Sequence, residues 1–196
     1  LESYKQLSEE SREYRFASLG VTIFDRNDIG FETKMFYTLN TSKLTLNTGI
    51  LYRNIQNLGH HYGEQYLMQH MGLDYLMTYR AVEITEILNT DSDSPFKNKI
   101  IYYGKKNSED SFLKDVDMIH IMKRVVNNYL ITLDLKTLSL RIINYWRAVK
   151  KMYSECYEHP DKYAIFNYTG IYVFMMLFID IDKKIVLGWG SNPLGD

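Results

Sequence analysis

Leu73, Leu76, Met77, Ala81, Ile84, Ile87 and Leu88 recur three and four residues apart, and this stripe restricts the fold more than any other feature. An apolar line at that period is buried only when a helix lays one face on its neighbours. Two more stretches repeat the pattern. One carries Ile119, Met122, Val125, Val126 and Tyr129. The other carries Leu135, Leu138, Ile142, Trp146, Val149, Tyr153 and Cys156, and stops before Pro160. Helices of this kind bury one another's stripes, so the chain is expected to be mainly helical.

Shorter segments add a little sheet. "LGVTIF" at residues 19–24 predicts a strand, and "KIIYY" at 99–103 predicts a second strand or an extended arm. Residues 1–14 read as a helix with Leu1, Tyr4 and Leu7 on one face. Phe31, Met35, Phe36 and Leu39 make another, with Asp28 as its cap and Glu32 in its first turn. Leu46, Ile50, Leu51 and Ile55 follow Thr45 as a cap, with Gly59 as the expected end. "NTDSDSPF" ends the long central helix, because Pro95 disfavours helical geometry at Ser94. An apolar helix is predicted around Phe166 to Phe178, and "IDIDKKIVLGW" reads as a turn and a strand. The expected class is α/β but mainly α. A small α/β portion spans residues 1–59 and a mainly helical one spans 60–196.

Composition narrows the function classes. Hydrophobic residues make up 45% and charged residues 24%, which suits a packed globular chain. The formal net charge of −1 offers no global field for nucleic acid, so any basic surface must be local. Cys156 is the only cysteine, which leaves no intrachain disulfide and points to a reducing cytoplasm. The opening "LESYKQLSEE" is charged throughout and does not read as a signal peptide. Its lack of an initiator Met leads us to expect that the natural start lies upstream. Residues 168–181 are apolar, but at about fourteen residues they fall short of the ~20 a spanning helix needs, so a buried helix is expected.

Candidate chemistry is sparse. Cys156 and His159 sit near one helix end, but no oxyanion motif or second thiol accompanies them, so a buried thiol near a surface histidine is the plainer reading. His60, His61, Glu64 and His70 are the densest group of metal-ligating residue types, at a spacing that matches no familiar site, and no metal is assigned. Asp91 and Asp93 open like a calcium loop, but the required Gly and terminal Glu do not follow. No catalytic residue is assigned. Two basic patches remain as nucleic-acid candidates. Lys97, Lys99, Lys105 and Lys106 surround Tyr102 and Tyr103, while Arg147, Lys150 and Lys151 share one helix face. An ordinary solvated surface is the simpler account of each. Asn40, Thr41, Ser42, Lys43 and Thr45 lie between two predicted helices. They serve as caps, and the exposed N–H groups at the second helix start beside Lys43 could also hold a phosphate or nucleotide.

Three blocks resemble the DGQHR-domain family, which includes DndB-type proteins and has a ParB/sulfiredoxin-like fold. "VTIFDRNDIGFETKMFYTLNTSKLTL" is similar to the segment after the family's namesake motif, with Phe36, Leu39 and Asn40 at the matching positions. "AVEITEILNTDSDSPFKNKI" looks like a second block, matched at Asp93, Ser94, Pro95, Phe96 and Ile100. "IINYWRAVKKMYSECYEHPDKYAIFNYTGIYVFMMLFIDI" is similar to the family's helical end, with Gly170 at a helix start. The motif Asp-Gly-Gln-His-Arg itself is absent from the 196 residues.

The resemblance implies that residues 1–59 are the C-terminal part of a ParB-like α/β domain. It further implies a bacterial, cytoplasmic accessory or regulatory protein of DNA modification, phage defence or transcriptional regulation. DNA and other proteins of such a system would be its partners, with no membrane association, and a homo-oligomer stays open. Two other function classes also stay open. One is a ParB-like nucleotide-binding hydrolase in the intact protein, using a nucleotide at Asn40–Thr45. The other is a helical protein–protein interaction module.

Overall fold

The structure, a computed structural model, describes residues 31, 32, 35, 48–102, 108, 109, 111–129 and 133–189. The described part is mainly helical, with one small parallel sheet. Helix α1 spans Thr48–Tyr66, a π-helical turn follows at Leu67–Met71, and α2 spans Leu73–Thr90. Strand β1, Ile100–Ile101, pairs in parallel with β2, Leu113–Lys114, in the register Ile100 to Leu113 and Ile101 to Lys114. Then come α3 at Asp115–Tyr129, α4 at Leu135–Met152, the short α5 at Ser154–Glu158, a 3-10 turn at Ala164–Phe166 and α6 at Tyr168–Trp189. Among the described residues no helix is long and apolar enough to cross a membrane.

The three stripes form the core. Ala81, Ile84 and Leu88 of α2 are buried with Ile119, Met122, Val125 and Val126 of α3 and with Leu138, Ile142, Trp146 and Val149 of α4. Trp146 is fully buried at the centre. Phe96 approaches its ring at 4.9 Å between centroids and Phe166 at 5.7 Å, and its Nε1–H donates to Met175 Sδ at 3.4 Å. Tyr145 packs beside it and donates to the Phe174 carbonyl at 2.9 Å, and burial pushes its phenol up to about 12. Helix α4 starts on Asp134, whose carboxylate accepts from Thr137 N at 2.9 Å and Thr137 Oγ1 at 2.7 Å. Those bonds, the hydroxyl's foremost, hold Asp134 below the usual carboxylate range.

The expected helix end at Gly59 is corrected. Gly59 is buried inside α1, and a Cβ there would lie 2.2 Å from two ring carbons of Tyr79. Its role is close approach between helices. The backbone breaks four residues later, at Gly63, where φ is 82°. A second small cluster, Leu58, Leu67 and Leu76, closes this corner. Arg80 donates to both Glu64 oxygens, from Nε at 3.0 Å and Nη2 at 2.6 Å.

The chain end is also corrected. Residues 179–189 continue helix α6, where a turn and strand were expected. Phe178 and Ile179 are buried, Asp182 accepts from Arg141 Nη1 at 3.0 and 3.2 Å, and Lys183 donates to Asn128 at 2.7 Å. Tertiary anchoring of this kind overrides the strand preference of Ile179, Ile181 and Ile185. The buried helix expected over residues 168–181 is buried on one face only. Ile171, Met175 and Phe178 face the core, while Val173, Leu177, Ile181 and Ile185 form an exposed line at four-residue spacing.

The helix and strand expected at residues 1–24 and the polar junction at Asn40–Thr45 lie outside the described residues. Phe31, Glu32 and Met35 are helical, as their spacing predicts. Most of the α/β portion assigned to 1–59 therefore lies outside the description too.

Candidate functional site

Residues 91–99 leave α2 in a turn held almost entirely by short-range hydrogen bonds. Asp91 Oδ1 accepts from Asp93 N at 2.8 Å, the Asp91 carbonyl accepts from Ser94 N at 3.2 Å, and Ser94 Oγ accepts from Phe96 N at 3.1 Å. Asn89 then clasps the far end. Its carbonyl takes Asn98 N at 2.9 Å and its side-chain oxygen takes Ile100 N at 3.0 Å. Asx and Ser turns explain why this run of Asp, Ser and Pro leaves the helix and does not return to it. Phe96 is fully buried against Trp146, so the turn is pinned on the C-terminal half of α4.

That pinning creates a cavity of about 510 Å³. Ser92, Asp93, Ser94 and Pro95 form one wall. Arg147, Lys150 and Lys151 form the opposite one, all exposed on one face of α4. Ser154, Tyr157 and Glu158 of α5 close the end. Tyr157 ties the walls together, since its hydroxyl donates to the Pro95 carbonyl at 2.6 Å. Its ring also receives Lys150 Nζ at 3.9 Å from the centroid, a cation–π contact that orients that lysine.

Arg147 and Lys151 form no ion pair among the described residues, although Asp93 and Glu158 share their cavity. Part of the stabilisation of this arrangement needs no ligand, because cations in the last turns of α4 suit the negative end of its dipole. What the dipole leaves unexplained is their convergence with three serines on a concave surface. Such a surface offers charge-assisted hydrogen bonds to an anion.

Only part of the second predicted patch lies among the described residues. Lys97 is exposed and Lys99 half-buried on the turn, while Lys105, Lys106 and Tyr103 lie outside the described residues. Tyr102 is half-buried against the core, with the Arg53 guanidinium 5.6 Å from its ring centre. Burial raises its phenol above the ordinary tyrosine range, with the Glu86 charge adding to the shift. The proposed stacking face is therefore shared with Arg53.

The histidine group does not converge. His60 pairs with Glu83 at 2.8 Å, Glu64 serves Arg80, and His70 packs on Tyr66 at 4.6 Å between centroids. Among the described residues no group of three or more His, Cys, Asp or Glu could hold a metal ion. Cys156 is half-buried at the edge of the core, and His159 is exposed at the end of α5.

The cationic wall of the cavity is legible in the sequence, and the rest of its lining is not. Ser154 and Tyr157 lie on α5, beyond the non-helical Tyr153 that ends α4, so helical spacing from Arg147 does not mark them. The serine wall, Ser92 and Ser94, had no signal beyond the quoted Asp-Ser-Pro-Phe block. No protein-family model, no curated protein and no solved structure matches this chain.

Proposed function

We propose that this chain is a DNA-associated accessory or regulatory protein of the DGQHR type, the part that follows the motif, in which 1–59 derive from a ParB-like α/β domain. It acts in a bacterial cytoplasm within a DNA-modification or phage-defence system. Its contact with DNA is through backbone phosphate, with Arg147, Lys150 and Lys151 as the cations. The observation that supports this reading is the exposure of those three side chains on one face of α4, with Arg147 and Lys151 outside any ion pair among the described residues. Lys97, exposed two residues past Pro95, would extend the patch. Binding of this kind is salt-dependent and weakly sequence-selective.

Anisotropy titrations of duplex DNA over a salt series test it. Arg147→Glu together with Lys151→Glu should weaken binding at low salt and reduce the slope of log K against log salt by about 2, near 0.9 per lost phosphate contact. No binding at low salt, or an unchanged slope in the double variant, would sink the assignment.

A helical interaction module is the second reading, supported by the exposed line Val173, Leu177, Ile181 and Ile185 on α6. Under it the chain self-associates or recruits a partner through that line. Sedimentation velocity over a concentration series should show association that Val173→Glu with Ile181→Glu abolishes. Substitutions at such exposed sites leave stability within about 0.5 kcal/mol. A chain that sediments as a monomer at every concentration removes a second copy as the occupant.

A further inference from the structure

We propose that the cavity between the Asp91–Pro95 turn and α4 binds one phosphate monoester carried on a ribonucleoside, which rests on the reading of Arg147 and Lys151 as phosphate contacts. The shape comes first. At about 510 Å³ the cavity falls in the roughly 300–1,000 Å³ range of small-molecule sites. A continuous duplex backbone passes over such a concavity. A strand end or a free mononucleotide can place both its phosphate and its sugar inside.

The chemistry of the walls narrows the ligand. Charged and hydroxyl groups share the lining with Pro95 and the Tyr157 ring, so a ligand with both a polar group and an apolar face fits it best. The Arg147 guanidinium is a planar fork matched to two phosphate oxygens, and Lys151 adds a mobile point charge. Ser92 and Ser154 supply hydroxyl donors on opposite sides. Lys150 is held over Tyr157, and the Tyr157 to Pro95 hydrogen bond fixes the spacing of the walls before any ligand arrives.

Asp93 and Glu158 set the selectivity. Ionised carboxylates only accept hydrogen bonds, so they repel further phosphate groups and receive sugar hydroxyls. A carboxylate facing a ribose 2′-OH is a recurrent way to tell a ribose from its deoxy form. One phosphate and one ribose satisfy both halves of the lining. A triphosphate or a deoxynucleotide satisfies only one.

The ligand chemistry has two sources, a free mononucleotide or the 5′-phosphate end of an RNA strand. Calorimetric titration of the full chain with AMP, dAMP, ATP and inorganic phosphate gives the first arm. A short single-stranded RNA with a 5′-phosphate or a 5′-hydroxyl gives the second. AMP should bind at least about tenfold more tightly than dAMP, ATP or phosphate, the scale of one charged hydrogen bond. A 5′-phosphate preference in the RNA arm that exceeds the AMP affinity assigns the strand end, and the reverse assigns the free nucleotide. Ser154→Trp fills the cavity without removing a charge and should abolish AMP binding while duplex DNA binding persists. Thermal melts confirm that the variant is folded. Failure of both AMP and the 5′-phosphate RNA to bind, or binding that is unchanged in the Ser154→Trp chain, overturns the cavity proposal. If duplex binding still shows its Arg147 and Lys151 dependence in that case, the backbone reading survives alone. AMP binding lost in Ser154→Trp, in a chain that never binds duplex, upholds the cavity and rejects backbone contact.

Discussion

Trp146→Ala is expected to lower the unfolding free energy by about 3–5 kcal/mol, the scale for deleting a large buried aromatic side chain. Trp146 is fully buried and joins elements far apart in sequence. Phe96 comes from the turn after α2, Phe166 from the 3-10 turn, and Phe174 and Met175 from α6. Removing the indole takes away the shared surface of all of them and leaves a cavity bordered by rings that cannot collapse together, because each belongs to a different backbone. Urea unfolding followed by far-UV circular dichroism measures the loss, with an unchanged m-value showing that the same surface is exposed. Trp146→Phe should cost clearly less, since part of the ring contact survives. A loss of under about 1 kcal/mol for Trp146→Ala would mean that the neighbours close the gap, contrary to the behaviour of rigid cores.

The same residue shows why so much of the fold is legible from the sequence. Trp146 falls on a stripe by its spacing from Leu138, Ile142 and Val149, and burial follows that spacing directly. Periodicity is written in consecutive residues, so the faces of α2, α3 and α4 could be read without knowing what covers them. Leu73 marks the limit. It fits the period of α2, yet it is exposed at the first residue of that helix. Gly59 marks another. Two glycines four apart look alike as helix breakers, and only the position of the Tyr79 ring separates the packing glycine from the kinked one at Gly63.

The candidate site was less legible than the fold. Its cationic wall lies on one helix and obeys a local rule. Its other wall meets the first through Tyr157 and Pro95, which are 62 residues apart. No spacing rule reaches that far, and the contact depends on Phe96 finding Trp146. The strand expected at the chain end failed for a related reason. Ile179, Ile181 and Ile185 favour strands in isolation, and the Arg141–Asp182 pair and the buried Ile179 hold them in a helix. Local preference lost to contacts that the local sequence does not contain.

Gly170→Ala should be the second severe substitution, and its effect should reach the cavity. Gly170 lies in the first turn of α6, where its N–H donates to Asn167 Oδ1 at 2.9 Å in a helix cap. A methyl group there would sit 1.9 Å from the Ala164 carbonyl oxygen and 2.5 Å from that of Ile165. Those obstacles are backbone, so no side-chain rotation relieves them. Either the helix start or the whole 3-10 turn must move. The turn carries Phe166, fully buried 5.7 Å from Trp146 and 5.2 Å from Tyr157 between ring centroids. Moving it loosens the core and releases Tyr157 from the position in which it holds Pro95 and Lys150. We expect a loss of about 3 kcal/mol or more, the upper end for overpacking, since the clash is with main chain. Helix propensity runs the other way, because alanine is better than glycine by about 1 kcal/mol in a helix interior. The sign of the result therefore decides between them. A destabilised Gly170→Ala chain with weakened anion binding ties the close approach at α6 to the cavity, and a stabilised one would show that Ala164 and Ile165 give way freely.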